Sequence, residues 1–170
     1  MVRGQINTTL DAAMRREVGE FKGGQMFELG AHLVDALVRL MGGAPAKITP
    51  FIRRHGSHQD ALNDNTLAVF EYPNAMAMIQ SATLQPGGSA HRTFEVLGTN
   101  GTAVIRPLES PVLTIDLAAA AGPYKKGSQV VPLAPYKRYI GDLEDLAAAV
   151  RGERKLVASL DVEMDVQRTL

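Results

Sequence analysis

The chain has 170 residues, 45% of them hydrophobic, and its 18 basic and 18 acidic side chains cancel at neutral pH. This length and composition suit one globular domain with its own core, and the charge balance gives no basis for binding nucleic acid or an anionic membrane. No apolar run approaches the roughly 18 residues of a spanning helix, and the absence of cysteine excludes disulfides and thiolate metal sites.

In chain order, Gln5 to Thr9 reads as a short strand and Asp11 to Lys22 as a polar, poorly periodic connection. A helix starts near Met26 and ends at Gly42-Gly43, a natural C-cap with Pro45 just beyond. Ile48 to Arg54 is strand-like, and His55 to Asp64 is a polar loop with little to bury. Leu67 to Tyr72 and Met76 to Leu84 flank Pro73-Asn74-Ala75, a hairpin signal. Strands follow from Arg92 to Leu97, at Val104-Ile105, from Val112 to Leu117 and, at an edge, from Gln129 to Leu133. Gly98-Thr99-Asn100-Gly101 is a hairpin connection, because no helix pattern follows it. Two helices close the chain, Tyr139 to Arg151 and about Leu160 to Leu170. In the first, Leu143, Leu146, Ala147 and Val150 form the apolar stripe, with Asp142, Glu144 and Asp145 outward. No internal repeat is present.

The helix from Met26 carries the most informative pattern. Glu28, His32 and Asp35 stand at i, i+4 and i+7, and at about 3.6 residues per turn they share one face, which Arg39 extends. The remaining surface is apolar or small, so the helix is expected to be largely buried and its polar stripe to face water, a partner or a site. Two readings fit this spacing. Glu28 with His32 and Asp35 with Arg39 are pairs that stabilise any solvated helix face. They are equally the parts of a histidine acid/base oriented by flanking carboxylates.

Other clusters are weaker. His55 and His58 form a permissible metal-ligand pair, but no third ligand stands at a recognisable spacing, so no metal is expected. Arg53, Arg54, Lys125 and Lys126 fit an anionic sugar or carboxylate, with solvated charge as the default. Ser57 has no strained elbow or orienting carboxylate at fixed spacing, which argues against a hydrolase triad. In Leu67–Tyr72 and Met76–Ser81, both faces of the strands are mostly apolar. A sheet with one solvated face should alternate, so one face is expected to meet helices and the other a second subunit.

The pattern Gly23-Gly24-x-x-x-Glu28-Leu29-Gly30-x-His32-x-x-Asp35, followed by Leu40-Met41-Gly42, resembles the helix that opens the second domain of the Gfo/Idh/MocA oxidoreductases. That family includes glucose-fructose oxidoreductase and inositol dehydrogenase. Asn65 to Asn74 resembles its strand ending in a Pro-Asn-Gly turn. Phe94 to Thr102 resembles its next strand and Gly-Thr-x-Gly turn, and Tyr139 to Gly152 its penultimate helix. The likeness runs in order over nearly the whole chain, and the helix motif is its most specific part.

The resemblance implies an α+β domain: an open, mostly antiparallel (mixed) β-sheet with helices packed on one face, the other commonly packing against a second copy. It implies hydride transfer between NAD or NADP and a sugar, cyclitol or related hydroxyl or carbonyl compound. In the family an Asp-x-x-x-His pair and a lysine of the first domain serve the proton transfer. His32 maps onto that histidine. Glu28 replaces the aspartate, and its extra methylene moves the carboxylate outward. Asp35 maps onto the motif's last acid, as a partner to the histidine or a helix-stabilising residue.

The family's first domain has a glycine-rich turn after its first strand and a Glu-Lys-Pro motif, and neither occurs here. The chain opens on a strand pattern and stops in a helical one. The expectation is therefore residues 1–170 as the C-terminal substrate-binding and oligomerisation domain of a larger two-domain dehydrogenase, with NAD or NADP bound mainly outside this chain. A polyol or sugar substrate and a homo-oligomer complete that reading. It is expected to be cytoplasmic, an export signal ahead of Met1 being the alternative. The rival from another class is a ligand-binding or assembly module without chemistry.

Overall fold

The computed structural model describes residues 1–170. Its strands are β1 (Val2–Asn7), β2 (Lys47–Arg53), β3 (Asn65–Tyr72), β4 (Ala75–Ala82), β5 (Thr93–Leu97), β6 (Gly101–Ile105), β7 (Leu113–Leu117) and β8 (Gly127–Val131). They form one open sheet in the order β2-β3-β4-β1-β5-β6-β7-β8. Only β1 and β4 run parallel, from Val2 beside Ala77 to Asn7 beside Ala82. Every other neighbour is antiparallel. With helices α1 (Ala12–Val18), α2 (Ala31–Met41), α3 (Ile140–Val150) and α4 (Leu160–Thr169), this is the expected α+β, mostly antiparallel architecture. No helix is long and apolar enough to cross a membrane.

Strand periodicity assigns the two faces of the sheet. Ala68 and Phe70 of β3 and Ala77 and Ile79 of β4 point to the helices and form the core with Val2, Ile6, Leu33, Val34, Leu37 and Val38. Burying each large apolar side chain of that group contributes about 1.5–3 kcal/mol. The intervening residues Leu67, Val69, Met76 and Met78 lie on the helix-free face. Helix α2 presents Leu33, Val34, Leu37 and Val38 as its buried side. It stops at Gly42, whose left-handed backbone (φ 77°) returns its N–H to the Val38 carbonyl.

Four sequence expectations need correction. The helix from Met26 does not begin as a regular one: Met26–Gly30 is a π-helical turn, and α2 proper starts at Ala31. The wider turn lays Gly30 against β4, where a Cβ would stand 3.2 Å from that of Ser81. The polar connection contains α1, which Asp11 caps by accepting the N–H groups of Ala13 and Met14, both at 2.9 Å. The loop before β3 was expected to bury little, yet Leu62 and Asp64 are fully buried. Finally, the apolar stripe of α3 faces outward. Leu143, Leu146 and Val150 are 59%, 49% and 79% exposed, while the Asp145 side chain is turned inward.

Candidate functional site

At one end of the sheet β1 and β4 finish side by side, and the π-helical turn crosses over them. Ser81 joins the layers: its hydroxyl lies 3.0 Å from the Ile6 carbonyl oxygen and 3.1 Å from that of Gln25. Beside it the buried Asn7 accepts the Ala82 N–H at 3.0 Å and donates to Gln85 Oε1 at 2.8 Å. These bonds fix the floor on which the sequence-predicted residues stand.

Glu28 is half-buried and accepts a hydrogen bond from Nε2 of the fully buried Gln25 at 3.0 Å. His32 is exposed on the first turn of α2. Asp35, one turn further, pairs with Arg39 at 2.9 Å, and Arg39 reaches across to Glu163 of α4. The fold thus brings Glu28 and His32 to the start of one helix, but no hydrogen bond or ion pair joins His32 to either carboxylate. Asp35 takes part in a helix-to-helix ion network, as the surface-pair reading anticipates.

Behind this end lies a buried ion cluster. The Arg15 side chain, 1% exposed, meets Asp60 at 2.6 Å, Asp64 at 3.0 Å and the Thr83 hydroxyl at 2.9 Å. The hydrogen bonds from Arg15 hold the Asp60 carboxyl below its ordinary range. Burial pushes the Asp64 carboxyl up, but N–H bonds from His55 and Gly56 and the Arg15 guanidinium outweigh it, so the net shift is downward. The cluster ties α1 and the loop before β3 to the end of β4. Of the two loop histidines, His55 has its Nδ1 3.0 Å from Asn65 Nδ2. No cluster of three or more His, Asp or Glu side chains is placed to hold a metal ion.

Sequence reasoning missed Gln25, Ser81, Asn7 and Arg15. The three-residue spacing of Gln25 and Glu28 was a usable signal. Arg15 offered none, since its carboxylate partners lie 45 and 49 residues away.

A family model described as the GFO/IDH/MocA C-terminal domain matches residues 1–104, from β1 into β6 and including the whole π-turn and α2. The chain belongs to that family. Among solved structures, the GFO/IDH/MocA fold recurs in the UDP-N-acetylglucosamine 3-dehydrogenase GnnA from Acidithiobacillus ferrooxidans. That match has 17% identity and a TM-score of 0.76 over 98% of this chain and 51% of that one. Aldose-aldose oxidoreductase from Caulobacter crescentus, complexed with glycerol, matches at 16% identity and TM-score 0.77, over 98% and 50%. GenD2 from gentamicin A biosynthesis, in complex with NAD, matches at 22% and 0.70, over 99% and 50%. The chain spans about half the length of each. No sequence among curated proteins matches it.

The connection from the first strand to the first helix does not fit a dinucleotide pyrophosphate. The β1-to-α1 connection, Thr8-Thr9-Leu10-Asp11, has no glycine, and the Asp11 carboxylate occupies the helix N-terminus that a phosphate would need.

Proposed function

We propose that this GFO/IDH/MocA domain is the substrate-binding and oligomerisation half of an NAD- or NADP-dependent oxidoreductase acting on a sugar, a cyclitol or a related compound. The observation that supports it most directly is His32, an exposed imidazole at the head of a helix whose other side is core, inside the stretch matched by the family model. The sugar-linked names of GnnA and the aldose-aldose enzyme support the substrate class, and GenD2 with NAD supports the cofactor.

In this reading His32 accepts the proton of a substrate hydroxyl as that carbon is oxidised, and returns it in the reverse direction. Glu28 orients the imidazole or the substrate, and Asp35 keeps the helix in register through Arg39. The dinucleotide is held by the other half of the protein. The helix-free face of β2 to β4 is the proposed contact between copies. Phe51 and Met76 there are 45% and 50% exposed, beside Leu67, Val69 and Met78. The ion pairs Lys47–Glu71 and Arg3–Glu95 lie on the same face.

The test is kinetic. In the two-domain protein, screened against aldoses and cyclitols with NAD and NADP, His32→Ala lowers kcat by about a hundredfold or more. Glu28→Gln has a milder effect, because it keeps size and a hydrogen bond. Near-normal turnover by His32→Ala would mean that the Glu28, His32 and Asp35 stripe is a structural, solvated helix face and not an acid/base site.

A further inference from the structure

We infer that Gln25 is the positioning residue for Glu28, an assignment that rests on the proposed role of the Glu28–His32 pair. The Gln25 backbone is fixed at both ends: its N–H donates to the Asn63 carbonyl at 3.2 Å, and its carbonyl accepts from the Ser81 hydroxyl at 3.1 Å. From that anchored position the side chain, 0% exposed, places Nε2 3.0 Å from Glu28 Oε2. Its other amide atom, Oε1, is buried without a partner.

That orphaned oxygen shows what the amide is for. A buried acceptor with no donor costs stability, and methionine would fill nearly the same volume without the penalty. Packing therefore favours methionine at this position. What glutamine adds is one N–H aimed at a carboxylate, a charge-assisted bond stronger than a neutral one. Glu28 needs such a restraint, because a half-buried glutamate samples many rotamers that a reacting geometry cannot tolerate. With Oε2 held by Gln25, Oε1 remains the atom that can accept from His32 or from a ligand hydroxyl.

Gln25→Met separates this role from packing. In the 170-residue chain the variant is expected to stay folded with a Tm close to the parent's, since removing the orphaned acceptor offsets losing the bond to Glu28. The Glu28 side-chain order measured by NMR relaxation should fall to that of a free surface glutamate. A Glu28 as ordered as before overturns the inference. In the two-domain enzyme Gln25→Met should lower kcat about tenfold with KM nearly unchanged, and add little to a Glu28→Gln background because both act through one carboxylate. Unchanged kcat where Glu28→Gln is impaired overturns the inference and leaves the site reading intact. If neither Glu28→Gln nor His32→Ala affects turnover, the site reading fails, and the NMR arm still decides whether Gln25 holds Glu28.

Discussion

Helices α2 and α3 are both eleven residues long and both carry an apolar stripe, yet one is core and the other is surface. In α2, Leu33, Val34, Leu37 and Val38 are at most 4% exposed against the sheet. In α3, Leu143, Leu146 and Val150 point away from the rest of the chain, and the inward side carries Asp145. That carboxylate accepts the Val157 N–H at 2.9 Å and meets Arg154 at 2.9 Å. An apolar period thus states that a helix needs a covering surface. It does not state that the same chain provides one.

Mutations that remove equivalent groups from the two sides sharpen this contrast. The largest difference is expected between Arg15→Met and Arg154→Met. The first leaves the buried Asp64 and the partly buried Asp60 without their cation and should cost about 3–5 kcal/mol in denaturant unfolding. The second breaks a half-exposed pair worth about 0–1 kcal/mol. Equal losses would show that the Arg15 cluster is not the lock that its burial implies.

Acid should attack the same cluster. Asp60 and Asp64 both titrate lower folded than unfolded. Their stabilisation is complete above the ordinary carboxylate range near about pH 4. It is lost as pH falls through the lowered folded values. Thermal unfolding across that range should therefore show the Tm falling on the acid side, and a Tm independent of pH there would remove the cluster's contribution.

Core truncation is the next contrast. Leu37→Ala removes a fully buried side chain and should cost about 2–5 kcal/mol, whereas Leu146→Ala, 49% exposed, should stay within about 0.5 kcal/mol. A large loss from Leu146→Ala would mean that α3 packs more closely in solution than its exposure indicates.

The smallest effect on folding is expected on the helix-free face. Val69→Asp or Met78→Asp should shift the protein towards monomer in light scattering while the helical circular dichroism is retained. A monomeric parent at high concentration would contradict the proposed contact between copies.

Much of the fold could be read from local patterns. The β3–β4 hairpin announced itself through Pro73-Asn74, the end of α2 through Gly42, and the β5–β6 connection through its two glycines. What escaped was non-local. Helix α1 has no apolar period and is held by the Asp11 cap and by Arg15, whose partners stand in a distant loop. The π-helical turn has no signature in composition, because it follows from Gly30 meeting β4. At the candidate site, Glu28, His32 and Asp35 were visible from spacing and motif. The partner of Asp35, Arg39, was visible as well, whereas that of Glu28 was not, since Gln25 takes it in place of His32. Charge spacing named who can pair along a helix, and the tertiary fold chose among them.

The position of β1 also dictates an order of assembly. Earlier in the chain than every other strand of the sheet, it lies between β4 and β5, with Val2 paired to Ala77 on one side and Val96 on the other. The β2–β4 and β5–β8 meanders close through neighbours in sequence, whereas β1 waits for partners 75 residues later in β4 and 88 to 94 residues later in β5. At about 5–20 residues per second on the ribosome, that delay lasts seconds, far longer than hairpin formation. The strand that joins the two meanders, and whose Asn7 end floors the candidate site, cannot be paired on both sides until β5 exists.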